Sequence, residues 1–238
     1  MATMTSDQLV EQLRQAFGDG LRSVVLYGPS STEEPSAGRA DLDVLVLVDR
    51  LDLALLQREA AIARAWADSG HPPPVTLTMT EWRSSSDIFP MEYADVLERH
   101  RVLYGEAPFA GLSVAPEDLR RELEFEVMGK LLQLRRGILL AGGDRKRLRE
   151  LLGASVHAFL ALFRALLRAY GESPPIEPEA LCQRVTARTR IDTGAFARVV
   201  RHARGAESVS DAELYAVLDQ YHAGAESLAR HLDQDGLT

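Results

Sequence analysis

Two aspartates one residue apart, Asp41 and Asp43, lead directly into five consecutive apolar residues, 44–48. Side chains alternate faces along a strand, so the two carboxylates lie side by side while Leu42 points the other way, into the core. Adjacent carboxylates repel, and burial raises that cost. A divalent cation with oxygen ligands relieves it, and Mg²⁺ is the usual choice where phosphates complete the shell. Upstream, a shorter apolar run, 24–26, ends in Tyr27-Gly28-Pro29-Ser30-Ser31. Backbone N–H groups of such a turn, with the hydroxyls of Ser30 and Ser31, suit phosphate oxygens. Arg39 stands two residues before Asp41, placed to contact phosphate or to pair with Glu33 or Glu34. The plainer reading makes both aspartates solvated turn residues. The apolar run that follows argues instead that Asp43 sits at the edge of a core.

These residues need two neighbouring strands to hold them. The first spans about 22–27 and the second 41–48, joined by a loop holding Glu33, Glu34, Pro35 and Gly38. An amphipathic helix over 6–17, with Ser6 as its N-cap, precedes them. Asp52 caps a helix to about 68. Three prolines, 72–74, separate it from a third strand, 75–79. A short helix at 91–99 and a last strand at 101–104 complete this half. Trp82 and Phe89 read as core side chains. Pro108, Gly111 and Pro116 mark a boundary. We expect two domains: an α/β domain over residues 1–114 and a helical bundle over 115–238.

Beyond the boundary the pattern is helical. A helix from Pro116 carries Leu119, Leu123, Val127, Leu131, Leu134 and Ile138 on one stripe and Glu122, Glu126 and Lys130 opposite. Asp144 caps a second long helix that is apolar over most of its girth, as expected of a bundle's central helix. Shorter helices follow at about 179–188 and 192–204. Ser210 and Glu213 have capping-box spacing at the start of a last helix. The fold class is therefore α+β: a small mixed β-sheet with flanking helices, followed by an all-α bundle.

Gly28, a nearby serine, a loop of about ten residues and then Asp41-Leu42-Asp43 opening a strand resemble the signature of the DNA-polymerase-β-like nucleotidyltransferase superfamily. The element order resembles its small bacterial members with a helical C-terminal domain, such as the kanamycin and lincosamide nucleotidyltransferases. The family usually has Ser directly after Gly. Here Pro29 intervenes, which either shifts the phosphate-binding role to Ser30 or Ser31 or weakens it. The resemblance implies transfer of a nucleoside monophosphate from a nucleoside triphosphate, ATP foremost, to a hydroxyl of a small molecule or protein. It implies Mg²⁺, up to two ions, on Asp41 and Asp43, phosphates held near Gly28, Ser30, Ser31 and Arg39, and a general base from the helical domain, Glu126 or Glu122. The i,i+4 spacing of those glutamates with Lys130 equally suits an exposed helix face. The family's third carboxylate belongs on strand three, which here reads Val-Thr-Leu-Thr-Met. Either Asp87 or Glu92 replaces it, or only one metal binds well, or the chain is a catalytically silent nucleotide-binding or protein-interaction module of antitoxin type.

Charge narrows the partners. Residues 1–114 hold nine arginines, no lysine and 17 acids, whereas the remainder balances 18 against 18. An acidic half disfavours a nucleic-acid backbone and suits a small, even cationic, acceptor. A single cysteine, Cys182, excludes an internal disulfide framework. No signal peptide or membrane-spanning run is legible. Cytoplasmic location is the expectation, with a homodimer through the apolar helices one option and full internal burial the other.

Overall fold

The computed structural model describes residues 4–28, 31 and 42–234. The chain divides into two compact units, Met1–Ala115 and Pro116–Thr238.

The first unit is built on one mixed sheet in the order β3-β2-β1-β4. β1 (Leu21–Tyr27) runs antiparallel to β2 (Asp43–Val48) on one side and to β4 (His100–Gly105) on the other. β3 (Val75–Thr78) adds a parallel edge to β2. Both central strands are apolar on each face, because helices cover the sheet on both sides. Even-numbered residues of β1 and β2 (Val24, Leu26, Val44, Val46) pack with Leu9 and Leu13 of α1 (Ser6–Phe17) and with Ile62 and Trp66 of α2 (Leu53–Asp68). Odd-numbered residues (Val25, Leu45, Leu47) pack on the opposite face with Trp82 of α3 (Met79–Ser84) and Tyr93 and Val96 of α4 (Pro90–Glu98).

Local chemistry sets the boundaries. Thr5, not Ser6, caps α1. Its hydroxyl accepts from the Gln8 N–H while the Gln8 side chain accepts from the Thr5 N–H, a reciprocal arrangement that Ser6 has no partner to build. Asp52 caps α2 as expected, accepting from Leu55 N–H at 2.9 Å. α3 was not legible as a helix. Thr78 ends β3 and at once caps α3 through Glu81, so one residue serves two elements. Trp82 stacks on Tyr93 with ring centroids 4.1 Å apart, and its indole N–H donates to the Pro108 carbonyl. These contacts fasten α3, α4 and the following loop together.

The second unit is helical throughout: α5 (Pro116–Ala141), α6 (Arg145–Ala169), α7 (Pro178–Thr189), α8 (Gly194–Ala203) and α9 (Leu214–Gln234). Asp144 caps α6, accepting from Lys146 and Arg147 N–H. α6 is the central helix, burying Leu152, Val156, Phe159, Phe163, Leu166 and Leu167. By length and composition it also passes as a membrane-crossing helix, which corrects the reading that no segment qualifies. Half of that window is buried inside the unit, which is how the core helix of a bundle looks. Phe159, Phe163, Phe196 and Tyr221 form an aromatic cluster between α6, α8 and α9. Gly224 allows the close approach: a Cβ there would stand 2.7 Å from Phe196 Cε2 and 3.0 Å from the Asp192 carbonyl. Ser210 and Glu213 do bond each other, but they close a turn, and regular helix begins at Leu214.

Candidate functional site

β1 ends at Tyr27, whose Cα partner across the ladder is Asp43. Both residues share the odd-numbered parity of Val25, Leu45 and Leu47, so Asp43 stands on the sheet face covered by α3 and α4. Leu42 joins the opposite cluster. The chain then turns at Gly28, with φ +81°. A Cβ on this glycine would lie 3.1 Å from Asp43 Oδ2, so the missing side chain is what lets the turn pass beside the carboxylate.

The turn is tied down on both sides. Gly28 N–H donates to the Arg99 carbonyl at the end of α4, at 3.1 Å. The Gly28 carbonyl accepts from both the N–H and the hydroxyl of Ser31, at 3.1 and 2.8 Å. Ser31 is buried, at 1 % exposure. Its hydroxyl proton and the Gly28 N–H are therefore engaged in holding the turn. Asp41, Ser30 and Arg39 lie outside the described residues.

The electrostatics of this corner register at Tyr27. Its phenol is pushed well above the usual tyrosine range, first by burial and then by the negative charges of Asp43, Glu92 and Asp95. Three carboxylates from two elements thus act on one hydroxyl. Glu92 lies in the first turn of α4, and Asp95 lies one turn further on. Asp87, the other acid named from the sequence, acts instead on Tyr93, whose phenol is pushed up to about 12, chiefly by burial. Sequence reasoning gave Tyr27 no role, and of the acids that follow strand three it preferred Asp87 and Glu92 to Asp95. The signal that could have found Tyr27 is its position, the last residue of a buried strand directly before the glycine.

β3 supplies no acid to this corner. Its register with β2 turns Val75 and Leu77 toward the face of Asp43. Thr76 donates its hydroxyl proton to Glu59 of α2 at 2.5 Å, on the other side. Burial raises the Glu59 carboxyl above its usual range, and the Thr76 bond opposes that rise. Among the described residues no group of three His, Cys, Asp or Glu side chains is gathered closely enough to hold a metal ion. Glu126 lies on α5 in the second unit and pairs with Lys130 at 3.4 Å, an i,i+4 ion pair.

No family model matches the sequence, and no curated protein matches it. Among solved structures, spectinomycin adenyltransferase AAD(9) from Enterococcus faecialis, crystallised with ATP and spectinomycin, is similar over 93 % of this chain and 100 % of its own. The TM-score is 0.59 and the identity 13 %. The chain has a nucleotidyltransferase fold with a helical second part. In this fold Asp43 occupies the start of the strand after the glycine turn, where the sequence resemblance put a metal-binding aspartate. At this identity the likeness extends to the fold, and the chemistry must be argued from the residues.

Proposed function

We propose that this chain is a Mg²⁺-dependent nucleotidyltransferase that moves a nucleoside monophosphate, from ATP foremost, to a hydroxyl of a small molecule. The observation that carries the reading is the corner itself. Asp43 lies beside a glycine turn at the mouth of a nucleotidyltransferase sheet, with Glu92 and Asp95 acting on the same phenol. A carboxylate such as Asp43 is a hard oxygen donor, which suits a hard cation. No described cluster closes a shell alone, so phosphate oxygens would have to complete it. Asp43 and Asp41 would hold the ion, with Glu92 as the third acid that β3 lacks. When bound, Mg²⁺ supplies charge neutralisation for the triphosphate and a lowered pKa for the attacking hydroxyl.

The chain's own residues do the positioning. Gly28 brings the backbone turn against Asp43 without a Cβ in the way. Ser31 locks that turn through the Gly28 carbonyl, leaving Ser30 and Arg39 as the groups assigned to the phosphates. Tyr27 stays protonated, so its hydroxyl can donate to a phosphate or acceptor oxygen. Glu126 is the general base that the resemblance implies, and such a role would require its release from Lys130. ATP and a small-molecule acceptor are what the AAD(9) crystals contain, and the acidic first unit favours a cationic acceptor over nucleic acid.

A second reading keeps nucleotide binding and drops turnover. It is favoured by Val75 and Leu77 standing where the fold's third acid is expected. Calorimetry with a non-hydrolysable ATP analogue and Mg²⁺ decides the first step. We expect binding that needs Mg²⁺ and weakens at least about tenfold in Asp43→Asn, the loss of one charged contact. Metal-independent binding, or unchanged affinity in Asp43→Asn, refutes the assignment. Pyrophosphate release with aminocyclitol or aminoglycoside acceptors then separates the enzyme from the silent module.

A further inference from the structure

Helix α5 carries a second apolar stripe that the unit's core does not use. Leu119, Leu123, Val127, Leu131 and Leu134 are buried. Phe125, Met128, Leu132 and Leu139 are exposed, Phe125 at 76 % and Leu139 at 79 %. With Arg135 they follow the spacing 3-4-3-4, which is the seam of a coiled coil. Beside the C-terminal half of this stripe lies an open cleft of about 520 Å³. Arg135, Ile138 and Leu139 form one wall, and Tyr215, Leu218, Asp219 and His222 of α9 form the other.

We infer that this stripe is the two-fold interface of a homodimer, with α5 packed antiparallel on α5 of a second copy and the axis at Leu132. Charge selects both the partner and its direction. The first half of α5, residues 116–128, holds five acids and two arginines. The second half, 129–141, holds Lys130, Arg135 and Arg136 and no acid. Antiparallel pairing sets each acidic half against a basic half, twice over, whereas parallel pairing sets like on like.

Shape agrees with charge. Phe125 and Leu139 are both seven residues from Leu132, roughly 10 Å along the helix. The axis therefore brings Phe125 of each copy to the level of Leu139 of the other, beside the cleft. An exposed aromatic knob and a cleft with apolar walls at Ile138, Leu139, Tyr215 and Leu218 become self-complementary, as a two-fold interface requires. Arg135, held by Glu226 at 2.6 Å and donating to His222 at 3.2 Å, lines that cleft with its guanidinium fixed. It stands ready for the face of an incoming phenyl ring. This inference goes beyond the proposed reaction and stands without it.

Sedimentation velocity on the full chain between 1 and 100 µM tests it. A dimer is expected, and Leu132→Glu should shift it to monomer by placing like charges at the axis. Leu132 is exposed, so the circular dichroism spectrum of that variant should be unchanged, while its melting temperature should fall only by the contribution that association makes to the wild type. Register is read by oxidative cross-linking. Leu132→Cys should link to itself much faster than Ala154→Cys, an exposed position on α6. The native Cys182 is buried with its thiol pushed up to about 12, and it stays silent. A wild-type monomer at 100 µM, a dimer indifferent to Leu132→Glu, or equal cross-linking at both positions overturns the proposal.

Discussion

Replacing Gly28 by alanine probes the corner with one methyl group. Gly28 has φ +81°, a conformation that costs an L-residue about 1–2 kcal/mol. The new Cβ would also meet Asp43 Oδ2 at 3.1 Å, a contact that moves the carboxylate by a few tenths of an ångström. The backbone part alone lowers the folded-to-unfolded ratio of the first unit by roughly 5- to 30-fold. Both tryptophans, Trp66 and Trp82, are buried in this unit, so their fluorescence during urea denaturation reports its unfolding. Mg²⁺–nucleotide affinity, measured in the folded range, reports the displaced carboxylate. Adding Asp43→Ala to Gly28→Ala should recover the contact part of the stability loss and leave the backbone part. Equal stability of Gly28→Ala and wild type, or a double variant that recovers everything, would refute the geometry argued for this turn.

Three further outcomes follow from the packing and the charges. Gly224→Ala gains about 1 kcal/mol of helix propensity but overpacks Phe196 and the Asp192 carbonyl. A net loss of about 1–2 kcal/mol is expected from thermal melts of the second unit. Trp82→Phe leaves the Pro108 carbonyl without its indole donor, and fluorescence-independent denaturation by circular dichroism should show a loss of about 1–3 kcal/mol. In the second unit, hydrogen bonds lower several carboxyl groups: Ser210 and Arg198 on Glu213, held at about 2, Arg201 on Glu207, Arg149 on Asp211 and Arg135 on Glu226. Folded values lie below unfolded ones, so this stabilisation is present above about pH 4.5 and is lost as pH falls toward 2. Helical signal at 222 nm should follow that window, and Arg198→Gln should move the acid transition to higher pH.

The strand–turn–strand core was readable because its signals are local. Alternation fixed which face Asp43 takes relative to Leu42, and runs of apolar residues marked both central strands. Caps at Asp52 and Asp144 were readable for the same reason: an aspartate before a helical pattern has few other uses. Thr5 displaced Ser6 because the deciding partner, Gln8, lies three residues downstream, and both hydroxyls looked equivalent without it. α3 was missed because six residues hold too little periodicity to stand out, although Thr78 and Glu81 carry its capping box. Which helix covers the site could not be read. Glu92 and Asp95 approach Tyr27 only because Tyr93 and Val96 dock on the sheet, and docking belongs to tertiary structure.

The sheet pairing has a consequence for folding fidelity. Asp43 and Leu42 are separated by a single step of β2, and the two sheet faces differ completely in character. A slip of one residue against β1 would bury a carboxylate among Leu9, Leu13 and Trp66 and turn a leucine toward the glycine turn. The misaligned chain is thus penalised in its interior before it could ever be judged by what it binds. Correct alignment of two strands and correct placement of Asp43 are, in this molecule, one event.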